Sequence, residues 1–151
     1  MRVVGFDQAT NVTGYSVFEN KNLIKYGTID CSQYKDIAER NNNMRNLIIS
    51  VIERYNGEAF AIEDVHYEKW KGVKTFKALA RLLGVLETDF TVRKYAYIIL
   101  PPSTWRKECG VGKTKEEAVA WVKERFNKDV TDDEADAICI GWCLAQRMEK
   151  K

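Results

Sequence analysis

Four acidic residues at the predicted ends of strands and helices could together support metal-dependent hydrolysis. Asp7 follows an apolar strand, and Glu63 ends a second, shorter apolar run. Asp133 and Asp136 are three residues apart at the start of a predicted helix, so both project from one face. Four carboxylates in one pocket repel one another unless hard cations such as Mg²⁺ or Mn²⁺, which prefer oxygen ligands, lie among them. Two such ions roughly 4 Å apart suit the hydrolysis of a phosphodiester bond.

Each acid also has an ordinary structural explanation. Asp7 could bond the backbone of its own turn, as aspartates at strand ends often do. Acids in the first turn of a helix interact favourably with its dipole, by a few tenths of a kcal/mol up to ~1 kcal/mol. That explanation accounts well for one or two of the acids in the run from Thr131 to Asp136. It suits Asp136 less well, because the apolar segment 137–140 follows directly.

A segment rich in lysine and aromatic residues, 67–77, suggests a nucleic-acid surface. It contains Tyr67, Lys69 and Trp70, and lysines alternate with aromatic rings along it. From residue 65 to residue 125 the chain carries 13 Lys or Arg against 7 Asp or Glu, although its overall net charge is only +2. A solvated helix face is the common explanation for lysines at this spacing. The interleaved rings favour nucleic acid, since phosphates attract the charge and bases stack on the rings.

The composition is that of an ordinary globular protein, with 45% hydrophobic and 30% charged residues. A length of 151 residues predicts one domain, 1–151. No apolar run approaches membrane-spanning length and no secretory signal precedes the first strand, so we expect a cytoplasmic protein without a membrane partner. The four cysteines lack metal-ligand spacing and His66 is the only histidine, which favours reduced thiols over a zinc site.

The order of the predicted elements indicates an α/β fold with a five-stranded mixed sheet and helices on both faces. Three consecutive strands open the chain, and two further strands alternate with helices. The predicted strands are 2–7, 14–18, 23–29, 58–63 and 95–100, and the predicted helices are 34–55, 73–90, 102–109, 115–126 and 131–148.

Two of the predicted helices carry cap signals. Ser103 is expected to cap the helix 102–109. Thr114, with a glutamate three residues on, is expected to cap the helix 115–126 through a capping box. The glycine loop Gly110–Thr114 before it looks like a phosphate-binding loop, but its glycine spacing does not match that motif and no strand leads directly into it.

Three short motifs resemble those of RuvC-type Holliday junction resolvases, nucleases of the RNase H-like, retroviral integrase-like superfamily. Segment 5–17, GFDQATNVTGYSV, resembles the family's first motif, of the form GIDPGxxxTGYGV. Segment 61–65, AIEDV, resembles the second motif, AIEQV, and segment 133–137, DEADA, resembles the last, DxADA. The three motifs stand in the family's order and at its separations across almost the entire chain.

The resemblance implies a homodimeric crossover junction endodeoxyribonuclease that cuts four-way DNA junctions by paired nicks in recombination and replication intermediates. It also implies two Mg²⁺ ions per active site, with Mn²⁺ as a substitute. By position, four acids become the catalytic residues and metal ligands: Asp7, Glu63, Asp133 and Asp136. Arg106 falls on one phosphate-contacting position of the family, and Lys113 or Lys115 on another, with Lys115 slightly favoured. The compact, divergent motifs resemble those of phage-encoded members, which would place the protein in a host cytoplasm.

The chain departs from the family's pattern in two places. The family's Pro-Gly after the first aspartate is Gln8-Ala9 here, which would loosen that turn. His66 stands where family members place an aromatic residue, three positions after the second carboxylate. His66 could stack on an unpaired base, Tyr67 or Trp70 could take that role, and a purely structural histidine is an equal alternative. These departures favour broader action on forks or other branched DNA. Two alternatives to a junction endonuclease are a nuclease with the same fold and metals that acts on RNA–DNA hybrids or single-stranded DNA, and a non-catalytic module that binds junctions.

Overall fold

The computed structural model describes residues 1–150, which form five strands and five helices. In chain order the elements are β1 (Arg2–Asp7), β2 (Val12–Glu19), β3 (Asn22–Asp30), α1 (Ile37–Arg54), β4 (Ala59–Glu63), α2 (Val73–Val92), β5 (Ala96–Leu100), α3 (Pro102–Cys109), α4 (Lys115–Phe126) and α5 (Asp132–Glu149). The predicted α/β class is confirmed, and every predicted strand and helix occurs, some with shifted ends. Within residues 1–150, no helix is both long enough and apolar enough to cross a membrane.

The strands form one mixed sheet in the order β3-β2-β1-β4-β5. The central strand β1 pairs antiparallel with β2 and parallel with β4, and β4 pairs parallel with β5. The parallel register places Phe6 opposite Ile62, so the carboxyl ends of β1 and β4 meet at one edge of the sheet. Asp7 and Glu63 are the last residues of these two strands.

Helices cover both faces of the sheet, because successive residues of a strand point to opposite sides. On one face, Val4 and Phe6 of β1 are fully buried in a core shared with α1 and α2. On the other face, Val3 belongs to a core shared with α3, α4 and α5. Trp105 of α3 is the largest fully buried side chain of the protein and lies in this second core.

The backbone of α5 approaches the sheet closely where glycines stand on the two elements. A Cβ atom at Gly5 of β1 would collide with the backbone of Gly141, and a Cβ atom at Gly14 of β2 would collide with the carbonyl oxygen of Asp133. The Ser16 hydroxyl of β2 donates a 2.7 Å hydrogen bond to a carbonyl oxygen of α5. These contacts fix the first turns of α5 over the ends of β1 and β2.

The cap predicted at Ser103 is wrong. α3 begins at Pro102, Pro101 holds the N-cap position, and no side chain caps this end. Proline is well suited to the first helical turn because the N–H that it lacks would have no partner within the helix there. The cap at Thr114 is confirmed, because its hydroxyl accepts a hydrogen bond from the Glu117 amide while the Glu117 carboxylate accepts one from the Thr114 amide.

Candidate active site

The fold brings the four predicted acids to one edge of the sheet. Asp7 and Glu63 end two adjacent parallel strands. Asp133 and Asp136 lie in the first turns of α5, and the contact between Gly14 and the Asp133 carbonyl holds this part of the helix beside the end of β1. All four side chains are partly buried. We call these four residues the acid cluster.

The helix cap at the start of α5 is made by residues outside the acid cluster. The Thr131 hydroxyl accepts a hydrogen bond from the Glu134 amide, and a Glu134 carboxylate oxygen accepts one from the Thr131 amide at 2.9 Å. This capping box satisfies the end of the helix without Asp133 or Asp136. Capping therefore accounts for Glu134. Asp133 lies in the first turn and can still interact with the helix dipole, whereas Asp136 lies beyond that turn.

Asp7 is at the electrostatic centre of the acid cluster. Burial raises its pKa well above the ordinary value of 3.8, and the charges of Glu63, Asp136 and Asp133 raise it further. A turn residue in solvent would not feel three other carboxylates. The environment of Asp7 therefore differs from that of an aspartate that only bonds its own turn.

The other members of the acid cluster are perturbed in the same direction. Burial raises the pKa of Glu63 to about 7, and the charge of Asp136 adds to this rise. Burial likewise raises the pKa of Asp136 to about 6, with a further contribution from Asp133. The pKa of Asp133 is also raised, chiefly by burial. Strongly perturbed carboxyl groups in one place are typical of functional sites, because a fold gains no stability from them.

Arg106 of α3 is the cation that faces the acid cluster. Its positive charge opposes the burial-driven rise in the pKa of three of the acids: Asp7, Glu63 and Asp136. The guanidinium lies 4.5 Å from the centre of the Trp105 ring and donates a 2.8 Å hydrogen bond to the Gly112 carbonyl. Arg106 is thus held in place between the acid cluster and the glycine loop.

Two further lysines lie close to the acid cluster, and a third lies on the glycine loop. Lys115, at the start of α4, is 3.9 Å from Asp132, and its charge opposes the burial-driven rise in the pKa of Asp133 and Asp136. The charge of Lys71 likewise opposes the rise in the pKa of Glu63. The motifs in the sequence do not identify Lys71 as a site residue. Lys113 is exposed on the loop between α3 and α4.

Two uncharged side chains that the sequence did not identify hold Glu63. The Trp105 indole N–H donates a 2.6 Å hydrogen bond to the Glu63 carboxylate. The Gln8 side-chain amide accepts from the Glu63 backbone N–H at 2.9 Å and donates to the Glu63 carbonyl at 2.5 Å. Nothing in the spacing of Trp105 or Gln8 predicts these bonds, because they depend on how α3 and β1 meet the end of β4.

The turn after Asp7, where Gln8-Ala9 replaces the family's Pro-Gly, is held firmly by side-chain hydrogen bonds. Besides the two bonds of Gln8 to β4, the Thr13 hydroxyl accepts from the Ala9 amide at 3.1 Å and donates to the Ala9 carbonyl at 3.0 Å. Gln8 is only 5% exposed and Thr13 is fully buried. The expectation of a loose turn is therefore wrong, because side-chain hydrogen bonds replace the rigidity that Pro-Gly would give.

The predicted nucleic-acid segment begins just after Glu63 and is mostly exposed. His66 forms a 2.9 Å hydrogen bond with Glu68 and is itself exposed. Trp70 is 78% exposed, Tyr67 is 50% exposed, and Lys69 is exposed as well. An indole so open to solvent makes little use of its apolar surface within the chain, so it is available to stack on a base.

The acid cluster fits a divalent cation by donor type and charge. It supplies only carboxylate oxygens, which Mg²⁺ and Mn²⁺ take readily. A cation that stabilises the ionised forms would also relieve the repulsion that raises the pKa values. Among residues 1–150, no three Asp, Glu, His or Cys side chains are already gathered in the arrangement of a metal site. The carboxylates would therefore have to draw together around a bound ion.

The fold and the site together have the features of a metal-dependent nuclease with an RNase H-like fold. A family model described as "Crossover junction endodeoxyribonuclease RuvC" matches residues 3–144. The chain belongs to this family of metal-dependent, junction-resolving endonucleases. The predicted enzyme class is thereby confirmed.

Bacterial proteins named for this family align with nearly the whole chain. The crossover junction endodeoxyribonuclease RuvC of Dictyoglomus thermophilum is 29% identical, with an alignment that covers 97% of this chain and 98% of that protein. The protein of the same name from Caldanaerobacter subterraneus is 30% identical, with 95% and 91% covered. These relatives are bacterial, and an origin in a phage stays a prediction.

Solved structures share the fold at lower sequence identity. Thermus thermophilus RuvC in complex with a Holliday junction substrate superposes with a TM-score of 0.78 at 18% identity, covering 98% of this chain and 96% of that one. The fowlpox virus resolvase in complex with Holliday junction DNA gives a TM-score of 0.65 at 14% identity, with 98% and 99% covered. The RNase H-like fold predicted from the sequence is confirmed.

Proposed function

We propose that this chain resolves four-way DNA junctions by hydrolysing a phosphodiester bond at the edge of the sheet that carries the acid cluster, while a second copy makes the matching cut. The observation that supports this most directly is that four carboxyl groups with raised pKa values lie at one edge of the sheet near Arg106, in a member of a junction endonuclease family. Carboxylates can hold the metal ions, and a nearby cationic side chain can bind the phosphate that is cut.

Two Mg²⁺ ions, for which Mn²⁺ can substitute, would be held by the four carboxylates of the acid cluster. Such ions activate the attacking water and stabilise the leaving oxygen. The chain itself supplies oxygen donors in partly buried positions, where weaker solvent screening strengthens their attraction to a cation. Burial would thus strengthen metal binding, although in the metal-free protein it disfavours the ionised form of the carboxyl groups.

Arg106, Lys113 and Lys115 would contact the DNA backbone beside the cut. Arg106 already faces the acid cluster, and Lys115 lies on its α5 side. The exposed residues Tyr67, Lys69 and Trp70 would bind DNA next to Glu63, with His66 or one of the two rings stacking on an unpaired base. Forks and other branched DNA offer the same unpaired bases and are included in this proposal.

A homodimer would form through the groove between α1 and α2, on the face of the sheet away from α5. The groove has a volume of about 820 Å³ and is lined by residues of both helices. Val92 is 74% exposed in the groove. Two buried oxygens of groove residues, Asn41 Oδ1 and Asp89 Oδ2, have no hydrogen-bond partner among residues 1–150. Buried polar atoms without partners are costly, and a second copy could supply the missing donors.

The test is cleavage of a synthetic four-way junction, a fork, a linear duplex and an RNA–DNA hybrid, each with and without Mg²⁺. We expect paired nicks in the junction that depend on the metal, and little cleavage of the duplex or hybrid. Asp7→Asn should reduce cleavage to background while junction binding is kept or strengthened, because a negative charge near phosphate is removed. Asp30→Asn is the matched control, since Asp30 ends β3 outside the acid cluster.

Three outcomes would count against the proposal. Cleavage by Asp7→Asn at the wild-type rate would show that the acid cluster is not the catalytic site. Preferential cleavage of the hybrid would move the substrate to RNA–DNA duplexes. Junction binding without cleavage under any divalent metal would leave a binding module.

A further inference from the structure

Glu63 lies where main-chain pairing between β1 and β4 stops. The last residues that these strands pair are Phe6 and Ile62, so the ladder between them ends one residue before the carboxylate. The Gln8 side chain takes over, with one bond to the Glu63 N–H and one to its carbonyl. A primary amide can make this pair of bonds because it carries a donor and an acceptor side by side. Gln8 thereby ties the main chain of Glu63 to the residue that follows Asp7.

The carboxylate of Glu63 is held from the opposite side by Trp105. The indole N–H is the only polar group of that side chain, and it donates to one oxygen of Glu63 at 2.6 Å. Trp105 is fully buried, its carbonyl contacts the Cys143 thiol at 3.8 Å, and Arg106 covers its ring. An indole so enclosed cannot turn away, so it directs one carboxylate oxygen inward and leaves the other free.

We propose that Gln8 and Trp105 are positioning residues for Glu63, which together set where its free carboxylate oxygen stands relative to Asp7. The proposal rests on the assignment of Glu63 to the acid site in the proposed function. Neither side chain is charged, and neither is placed among the metal ligands or the DNA contacts. Their effect on the reaction would pass entirely through Glu63.

The first test separates positioning from packing by removing the hydrogen bonds while keeping most of the volume. Trp105→Phe and Gln8→Met should lower the cleavage rate of a four-way junction and raise the Mg²⁺ concentration for half-maximal rate, each by roughly 10- to 100-fold, as expected for groups that orient metal ligands. Junction affinity without divalent metal should stay unchanged. Trp142→Phe is the matched control, since Trp142 packs against Trp121 with ring centres 5.3 Å apart, and the hydrogen bond to the Glu63 carboxylate comes from Trp105.

The second test needs no activity and no substitution of Trp105. In ¹H–¹⁵N spectra the indole N–H of Trp105 should resonate downfield of the other three, because it donates to a carboxylate. Glu63→Gln should move this resonance alone, and Trp→Phe variants at residues 70, 121 and 142 assign it by elimination. This measurement tests the hydrogen bond from Trp105 to Glu63 even if Trp105→Phe fails to fold.

The outcomes distinguish this inference from the proposed function. If Glu63→Gln is inactive but Trp105→Phe and Gln8→Met cleave with wild-type rate and Mg²⁺ dependence, positioning is wrong and the proposed function stands. If Glu63→Gln leaves all four indole resonances in place, the Trp105 bond is absent and the inference is overturned. If Glu63→Gln cleaves normally, the proposed function fails in its assignment of Glu63.

Discussion

Asp7 illustrates how strongly neighbouring acids and burial change the pKa of a single residue. The sequence predicted that the acids at strand ends would meet, because parallel strands end at a common edge. The shared face of Asp133 and Asp136 is predictable for a different reason, since residues three apart lie on the same side of a helix. The bonds that Trp105 and Gln8 make to Glu63 could not be predicted, since side-chain hydrogen bonds between distant elements depend on packing that no local pattern encodes.

The raised pKa values predict that the metal-free protein loses stability as pH rises. The pKa of Glu63 goes from an ordinary 4.5 to about 7 and that of Asp136 from 3.8 to about 6, so the folded state binds more protons than the unfolded state between those values. The free energy of unfolding must therefore fall with rising pH across this window. Urea unfolding in EDTA should show a midpoint that decreases from pH 5 to pH 7.

Two controls accompany this pH prediction. Glu63→Gln should flatten the decrease, because the neutral amide has no proton to lose. Excess Mg²⁺ should reduce the decrease as well, since a cation that binds only the folded, ionised site stabilises it. A metal-free midpoint that rises between pH 5 and pH 7 would contradict the burial of these carboxyl groups in solution.

At the scale of elements, the strand and helix pattern was read correctly because apolar periodicity and turn residues are local signals. The cap of α3 was misread, since a serine one residue inside the helix looks like an N-cap when proline starts the helix. The direct contact between α5 and the sheet was also beyond the sequence. Gly5, Gly14 and Gly141 are far apart in the chain, and only the fold shows that they let two backbones touch.

Gly14→Ala should displace the start of α5. The added Cβ would meet the Asp133 carbonyl, which is backbone and cannot rotate away, so overpacking should cost about 1–3 kcal/mol of unfolding free energy. Cleavage should fall as well, because Asp133 and Asp136 move with the helix. Thermal unfolding and junction cleavage measure the two effects.

Gly84→Ala is the matched control for Gly14→Ala. Among residues 1–150, nothing lies within 4 Å of a Cβ atom at Gly84, which is in the middle of α2 and lines the α1–α2 groove, so this control applies to unfolding. Alanine is favoured over glycine there by about 1 kcal/mol, so unfolding should be unchanged or shifted to higher temperature. Equal stability of Gly14→Ala and the wild type would show that α5 adjusts without cost.

At the scale of the whole molecule, the two faces of the sheet differ in what they offer to a partner. The edge near α5 and α3 carries the acid cluster with its cations. The α1–α2 groove instead carries exposed valines and two buried oxygens that have no hydrogen-bond partner in the part of the chain that the structure describes. Two cuts in one junction require two acid clusters, and an interface on the α1–α2 face would leave both open to DNA.

Val92→Lys should weaken a dimer formed through the α1–α2 groove, because it buries a charge beside the arginines that line it. Light scattering after size exclusion should show more monomer, and junction products should shift from paired to single nicks. Val73→Lys is the control for the mass measurement alone, as Val73 is 52% exposed on the same helix but outside the groove, within the predicted nucleic-acid segment. An unchanged mass for Val92→Lys would place the interface elsewhere.

The glycine contacts under α5 also determine which changes in sequence the acid cluster can survive. The spacing between β1 and α5 is set by backbone atoms that touch, not by the volume of side chains between them. A side chain at any of the three glycines would therefore push α5 away from the sheet and carry Asp133 and Asp136 away from Asp7. The route by which sequence changes would most directly disturb the acid cluster thus runs through residues that carry no side chain at all.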